Sequence, residues 1–155
     1  MKKYITYLRY LLTHKYWVAY YCFKDGLYWR GLMHDLSKFR PDEFFPYVNF
    51  FGVAEKTKHS KDEFALAWAR HLRRNTHHWN HWVIKKEDGG DRIFEMPEKD
   101  RREMIADWLG VQKTLGKDDL AGWYKERQIT LGPKTRRWVE QTLEVNRYGN
   151  SKPIS

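Results

Sequence analysis

The chain has 155 residues, of which 41% are hydrophobic, and this length suits one domain around one hydrophobic core. A single cysteine, Cys22, excludes an internal disulfide and a thiolate metal cluster, and no apolar run is long enough for a transmembrane helix. Lys and Arg number 29 against 20 Asp and Glu, which favours either an anionic partner or a solvated basic surface.

Three helices are predicted in the N-terminal third of the chain. Apolar side chains at close to the helical period mark a first helix over residues 3–23, with Gly26 as a plausible stop. A second helix is predicted over about residues 27–38. Pro41 suits the first turn of a third helix, because its missing N–H has no partner there and two acidic residues follow it.

The clearest helix start lies in the segment SKDE. Ser60 and Glu63 have the spacing of a capping box, in which each side chain satisfies a backbone N–H of the other residue. The fourth helix, predicted from there to about Lys86, places Trp79 and Trp82 on its apolar face. The segment EDGGD that follows is predicted to be a turn, and no strand pattern with a hairpin turn stands out.

Three more helices are predicted in the C-terminal part of the chain, over residues 96–116, 118–128 and 133–149. Pro97 lies near the start of the first of these and Gly116 just past its end. The sequence therefore predicts an all-α, single-domain bundle of about six to seven helices. The domain is expected to span residues 1–150, and residues 151–155 to form a flexible tail.

All seven histidines lie between positions 14 and 81. His14 belongs to the first predicted helix, His34 stands beside Asp35 near the end of the second, and Asp107 lies on the fifth. Side chains borne on packed helices converge inside a bundle, which is how helix bundles build metal sites. Imidazole nitrogens and carboxylate oxygens suit a divalent transition metal such as Mn, Fe, Ni, Co or Zn. We therefore predict a metal site that binds one or two ions.

Four histidines are predicted to share the fourth helix. His71 and His78 are seven residues apart and would share a face, with His77 reaching the site through its side chain. His81 falls on a different stripe and is expected to be exposed or to support a ligand. Which of His77 and His78 points inward stays open.

The order of these residues along the chain resembles the signature of a known protein family. His14, then His34-Asp35, then Asp107 resembles the H…HD…D signature of the HD-domain superfamily of all-α, metal-dependent phosphohydrolases and phosphodiesterases. The stretch HDLSK looks like the HD-x-[GS]-K form of its cyclic-dinucleotide phosphodiesterase branch. Through HDLSKF, AWARHLRRNTHHWNHW, MPEKDRREMIADW and GPKTRRWVEQTL, the chain is also similar to a small uncharacterised family seen largely in phages and bacteria.

The HD-domain resemblance implies a set of ligands. A first metal would be held by His14, His34, Asp35 and Asp107. Asp35 would bridge to a second metal held by His71 and by His77 or His78. The chain departs from the two-metal branch in the short gap between His71 and His77 and in lacking the GYP segment, so the ion count and a cyclic-dinucleotide substrate stay open.

Four further residues are candidates for a role at the site. The resemblance implies that Lys38, one helical turn after His34, binds a phosphate, although a helix-end lysine is also favoured by the helix dipole. Arg30, one turn before His34, would line the same pocket or be an ordinary surface arginine. Asn75, one turn after His71, would orient a ligand or bind substrate. Glu43 would be a general acid or a supporting carboxylate, or only a helix N-terminal charge.

Two functions from different classes follow. The leading hypothesis is a metal-dependent phosphohydrolase or phosphodiesterase that attacks a nucleotide or other phosphate ester with metal-activated water. The alternative is a non-catalytic basic helical module that binds nucleic acid or a host protein, with a structural metal or none. We expect a cytoplasmic protein, in the host cytoplasm if the gene is of phage origin. We expect no membrane partner, and the oligomeric state stays open, with a dimer possible.

Overall fold

The computed structural model describes residues 2–52 and 55–144 of the chain. Within these ranges it confirms an all-α, single-domain bundle with seven α-helices, two 3₁₀ helices and one small hairpin. The elements in chain order are α1 Lys2–Lys24, α2 Tyr28–Met33, a 3₁₀ helix Leu36–Phe39, α3 Pro41–Phe51, α4 Lys58–Arg74, a 3₁₀ helix Trp79–Trp82, β1 Val83–Lys85, β2 Asp91–Ile93, α5 Glu98–Thr114, α6 Leu120–Lys125 and α7 Pro133–Glu144. None of the helices in the described part of the chain has the length and apolar character to span a membrane.

Helices α1 and α5 pack along each other at the centre of the bundle. They come into close contact at Gly110 of α5, where any Cβ atom would overlap the Cγ2 atom of Val18 on α1. The same glycine lies beside the His14 ring, one turn along α1 from Val18. The close approach therefore brings His14 into contact with Asp107, which precedes Gly110 by almost one turn.

The buried apolar side chains form two clusters, and α1 contributes to both. The larger cluster joins α1 at Val18 to α5, α6 and α7, for example through Ile105 and Val139. The smaller cluster joins α1 at Leu11 to α3 and α4. His14 lies between Leu11 and Val18 on the buried face of α1, so the polar centre of the molecule sits between the two apolar clusters.

The predicted second helix is wrong in its C-terminal half. Helix α2 ends at Met33, His34 is extended, and Asp35 adopts a left-handed conformation with φ 55° and ψ 20°. Among the described residues, Asp35 is the non-glycine residue with positive φ, a conformation that asparagine and aspartate tolerate better than most. The break turns His34 and Asp35 into the bundle together, and both are almost completely buried.

The predicted fourth helix is also wrong at both ends. It begins at Lys58, because Thr57 rather than Ser60 is its N-cap and accepts a hydrogen bond from the Ser60 N–H. It ends at Arg74, twelve residues before the predicted Lys86. At Asn75 the backbone is extended, and its side-chain amide donates to the carbonyl of His71, a local hydrogen bond that competes with helix continuation.

The segment after α4 contains a hairpin that the sequence analysis did not predict. Strands β1 and β2 pair antiparallel, with Ile84 opposite Arg92. Gly89 and Gly90 both have positive φ in the connecting turn, which glycine adopts without steric cost. Trp79 and Trp82 therefore lie on a 3₁₀ helix and not on the apolar face of α4.

Other predicted boundaries agree with the structure. Helices α1 and α3 lie where they were expected, and α3 begins at Pro41. Helix α5 starts directly after Pro97, and Gly116 follows it with positive φ. Helix α6 is shorter than predicted, while α7 starts at Pro133 as expected. The predicted end near Gly149 and the predicted tail lie outside the described residues.

Candidate metal centre

The first group of potential ligand atoms joins α1, the segment after α2, and α5. Nε2 of His14 lies 3.1 Å from Oδ1 of Asp107 and 3.7 Å from Oδ2 of Asp35. Nε2 of His34 lies 3.4 Å from the same Asp35 oxygen and 3.5 Å from the same Asp107 oxygen. A metal with bonds of about 2.1 Å separates neighbouring ligand atoms by roughly 3.0–3.5 Å, so these four atoms have spacings suited to one ion.

A second group shares Asp35 with the first. Its other carboxylate oxygen, Oδ1, lies 3.3 Å from Nε2 of His71 and 3.6 Å from Nε2 of His77. Nε2 of His78 lies 2.8 Å from Nε2 of His71. The four residues form a group whose ligand atoms all lie within 4.8 Å of one another. Asp35 thus turns one oxygen towards each group, which is the arrangement of a bridging carboxylate.

The structure brings both His77 and His78 to this group. They follow α4 rather than continuing it, so the argument that His71 and His78 share a helical face does not apply. The chain reversal after Asn75 instead lets adjacent residues converge, with the His77 and His78 rings 4.1 Å apart. His81 lies elsewhere, and its Nδ1 donates to the Leu72 carbonyl at 2.7 Å.

Two buried carboxylates orient the imidazole rings. Nδ1 of His34 lies 2.9 Å from Oε1 of Glu103, and Nδ1 of His77 lies 3.3 Å from the same oxygen. Nδ1 of His71 lies 2.9 Å from Oε2 of Glu43. An N–H that donates to a carboxylate at Nδ1 leaves Nε2 free as a ligand, and such pairs are typical of metal-binding histidines.

Sequence reasoning missed Glu103 and left Glu43 between two interpretations. The signal for Glu103 was its position four residues before Asp107, which places both on one face of α5. Glu43 is completely buried and bonded to His71, although it also lies in the first turn of α3. Its contact with His71 favours the supporting carboxylate over a role as helix N-terminal charge alone.

Two arginines form ion pairs with these carboxylates. Nη1 of Arg30 donates to Glu103 at 2.7 Å and to Asp100 at 2.8 Å. Nη1 of Arg74 donates to Glu43 at 2.5 Å. The contacts of Arg30 are therefore with the carboxylates behind the imidazoles, and its predicted contact with substrate stays a prediction.

Lys38 borders the first group through Asp35, and Asn75 borders the second. Nζ of Lys38 lies 2.6 Å from Oδ2 of Asp35. Burial alone would lower the pKa of Lys38, but the Asp35 carboxylate outweighs it and raises this pKa above its usual range. The Asn75 amide donates to Oγ of Ser37 at 2.8 Å, and Ser37 donates to Glu43 at 2.9 Å. Asn75 thus takes part in the hydrogen-bond network that surrounds the ring of His71.

The carboxylates of the first group are ionised. Burial would raise the pKa of Asp35, but the charges of His34 and Lys38 outweigh it and hold this pKa well below its usual range. Burial also opposes ionisation of Asp107, yet hydrogen bonds from His14 and His34 keep its pKa well below the ordinary value. The site therefore concentrates negative charge where a cation would bind.

Two imidazoles of the site are shifted in opposite directions. Burial would lower the pKa of His34, but the adjacent Asp35 carboxylate raises it well above the ordinary value. Burial and then the charge of His77 lower the pKa of His78 well below the ordinary value. Without a metal, the Asp35 carboxylate therefore favours the protonated form of His34, and burial favours the neutral form of His78.

The chemistry of these residues fits a transition metal. Nε2 of His34, Nε2 of His77 and Oδ1 of Asp35 are buried atoms without a hydrogen-bond partner in the structure. Buried polar atoms normally have such a partner, and a bound ion can take its place. The donor set of imidazole nitrogens and carboxylate oxygens is the one that Zn, Fe, Mn, Co and Ni accept.

A cleft of about 1470 Å³ opens beside both groups. The cleft is lined by His14 and Asp107 of the first group, by His78 of the second group, and by Lys38. Aromatic side chains make up much of its wall, and they include Tyr7, Tyr10, Tyr47, Trp68, Trp108 and Trp123. A ligand in the cleft therefore reaches the candidate metal centre directly.

These features define an all-α helical protein with a buried candidate metal centre on the wall of an aromatic cleft. The chain belongs to DUF5662, described as a family of unknown function, whose model matches residues 3–145. No curated protein and no solved structure matches the chain.

Proposed function

We propose that the protein is a metal-dependent phosphohydrolase or phosphodiesterase that acts on a nucleotide or another phosphate ester. The observation that carries the proposal is the position of Asp35, whose two oxygens belong to two adjacent ligand groups beside a cleft. Two ions held by a shared carboxylate can clamp the attacking and leaving oxygens of a displacement at phosphorus.

The resemblance to HD-domain proteins supports this chemistry. The residues of the first group are His14, His34, Asp35 and Asp107, the same set that the H…HD…D order implies. The second group adds the histidines that the phosphodiesterase branch places between HD and the last Asp. The assignment of this chain to a reaction rests on that likeness together with the arrangement of the side chains.

Several residues of the site have a role in the proposed reaction. A bound divalent metal would lower the pKa of a water ligand towards about 7 and polarise a phosphoryl oxygen. By accepting hydrogen bonds from Nδ1 of His34 and His71, Glu103 and Glu43 would leave the Nε2 atoms of these rings free to hold the metals. Lys38 brings a positive charge to the cleft, where it stabilises negative charge on the phosphoryl oxygens.

The second candidate is the non-catalytic basic module that binds nucleic acid or a host protein. A structural metal site is closed by protein ligands, whereas a catalytic site keeps an open position beside a pocket. Here His14, His78 and Asp107 face a cleft, which favours the enzyme. The net charge of +9 suits a phosphate-bearing ligand in both cases.

Metal content is the first test. Protein purified without a histidine tag would be incubated with Mn, Fe, Co, Ni or Zn, desalted, and measured by mass spectrometry. We expect near-stoichiometric metal in the wild type and its loss in Asp35→Asn and Asp107→Asn. Asp62→Asn, on the exposed side of α4, is the matched control and should retain metal. Wild-type protein that binds none of these ions would exclude the hydrolase.

Activity is the second test, on the metal-loaded protein. Bis(p-nitrophenyl) phosphate and p-nitrophenyl phosphate report diester and monoester hydrolysis, and nucleotides follow. We expect turnover that Asp35→Asn reduces at least about 100-fold while circular dichroism shows an unchanged helical fold. Stoichiometric metal without hydrolysis of any of these esters would favour the binding module instead.

A further inference from the structure

A continuous apolar surface on α1 and α2 is left exposed by the described residues. We call it the α1–α2 face and define it by Leu12, Tyr16 and Phe23 of α1 and Tyr28, Trp29 and Leu32 of α2. The two parts adjoin, because the Phe23 and Tyr28 rings are 5.5 Å apart and Lys15 of α1 donates to the Leu32 carbonyl. Large exposed apolar patches on a soluble domain mark sites of interaction.

The residues of this face on α1 form a second apolar stripe. Leu11 and Val18 belong to the buried stripe that packs on the rest of the bundle. Leu12, Tyr16 and Phe23 repeat at four and seven residues, so they share another side of the same helix, and all are exposed. A helix that is apolar on two sides is typical of one that is covered on two sides.

Helix α2 has a greater need of a packing partner than α1 does. It has six residues, and Gly31 is the one that is buried. Trp29 is 71% exposed and Tyr28 63%, so its large side chains contribute little to the core. An isolated helix this short is marginal in water, yet α2 leads directly to His34 of the candidate metal centre.

The charged residues near the α1–α2 face indicate which kind of partner binds there. Lys15 lies within its span, but its Nζ donates to the carbonyls of Leu32 and His34. Arg30 of α2 is likewise held by Asp100 and Glu103. The two cations at the centre of the face are thus bonded within the chain, while Arg9 and Lys24, at its two ends on α1, are exposed. A centre without free charges and a charged rim is the usual composition of a protein interface.

The exposed area is close to what a dimer requires. Aromatic side chains bury about 150–250 Å² each, so the exposed fractions of the six defining side chains sum to roughly 600–700 Å². A standard protein interface buries about 800 Å² on each partner. Met33 and Leu36 are also exposed and extend the patch.

We propose that the α1–α2 face is the interface of a homodimer, in which it packs on the same face of a second copy. A twofold axis requires no other component, and the cations at the centre of the face, Lys15 and Arg30, are already bonded within their own chain. The second copy covers Trp29 and holds α2, and through α2 it steadies His34. This inference does not depend on the proposed phosphohydrolase activity.

The test is the molar mass of the full chain, measured by size-exclusion chromatography with light scattering at micromolar concentration. We expect twice the chain mass of 18.9 kDa. Leu32→Glu should weaken the dimer by a factor of about 100 or more, because it places a charge in the apolar centre. Leu66→Glu on α4 is the matched control, since Leu66 is 53% exposed and Leu32 54%, and it should remain dimeric.

Three outcomes would overturn the proposal. A wild-type chain that stays monomeric into the high micromolar range has no such interface. A dimer that survives both Leu32→Glu and Trp29→Ser uses another surface. Monomeric wild type that sediments with phosphatidylglycerol vesicles, and loses this with Trp29→Ser, assigns the face to lipid. Circular dichroism of each variant shows whether a monomer is a folded one.

Discussion

His34 and Glu103 are 69 residues apart in the chain, yet Nδ1 of the imidazole lies 2.9 Å from Oε1 of the carboxylate. Both groups are buried, and the same oxygen also lies 3.3 Å from Nδ1 of His77. His34 belongs to the first ligand group and His77 to the second. One carboxylate thus orients a histidine in each group and couples their geometry.

Glu103→Gln should weaken metal binding by about 10–100-fold, the usual effect of losing a carboxylate behind a histidine ligand. The amide is a weaker acceptor, so the rings of His34 and His77 are held less firmly. Isothermal titration with Mn or Zn measures the affinity. Glu98→Gln, exposed at the start of the same helix, is the control and should leave the affinity unchanged. Equal affinities for Glu103→Gln and wild type would contradict this role.

Lys38→Met should make stability strongly dependent on metal. Nζ of Lys38 lies 2.6 Å from Asp35, and removal of one partner of a buried ion pair costs about 3–5 kcal/mol. A bound cation beside Asp35 replaces the lost charge, so metal should raise the free energy of unfolding more in the variant than in wild type. Urea denaturation with EDTA and with metal measures both values. Lys61→Met, exposed on α4, is the control, and an equal metal effect in Lys38→Met and wild type would refute the prediction.

Metal binding should release protons and tighten as pH rises above about 6, since a ligand imidazole must be neutral. In the metal-free protein the Asp35 carboxylate outweighs burial and raises the pKa of His34 well above the ordinary value. Titration of the protein with Zn in buffers of different ionisation enthalpy reports the protons released. An affinity that is the same at pH 6 and pH 8 would show that His34 is already neutral.

The raised pKa of His34 also determines how the stability of the metal-free protein depends on pH. A raised folded-state pKa at His34 contributes stability that is fully present below the unfolded value of about 6.5 and is lost as pH rises through the folded-state pKa. The lowered pKa of Asp35 contributes stability that is lost only at acid pH. Thermal melts in EDTA should therefore show falling stability on the alkaline side, with the opposite trend when metal is present.

Gly110→Ala should cost about 1–3 kcal/mol of folding free energy, because the added Cβ overlaps Val18 where α1 and α5 are in close contact. Val18→Ala removes the overlapping methyl group, so the double variant should lose less stability than the sum of the two single changes. Denaturant unfolding of the four proteins measures this coupling. If the losses of stability in the two single variants add up in the double variant, α1 and α5 move apart to accept the added methyl group, and there is no clash with Val18 to relieve.

Most helices follow from local pattern, and the residues of the first ligand group follow from a family resemblance. Periodic apolar residues define α1, α5 and α7, and prolines 41, 97 and 133 mark helix starts, because these signals act within a few residues. The order of His14, His34-Asp35 and Asp107 singled out the residues of the first group through a family likeness. The sequence alone did not show how their side chains are arranged.

Tertiary contacts decided the rest. The apolar spacing favoured a helix through His77 and His78, but Asn75 ends α4 with hydrogen bonds to His71 and Ser37. Glu103 looks like any helix carboxylate until the segment after α2 meets α5 and buries it against His34. A side chain's neighbours across the bundle depend on how separate helices pack, and the period of one helix does not encode that packing.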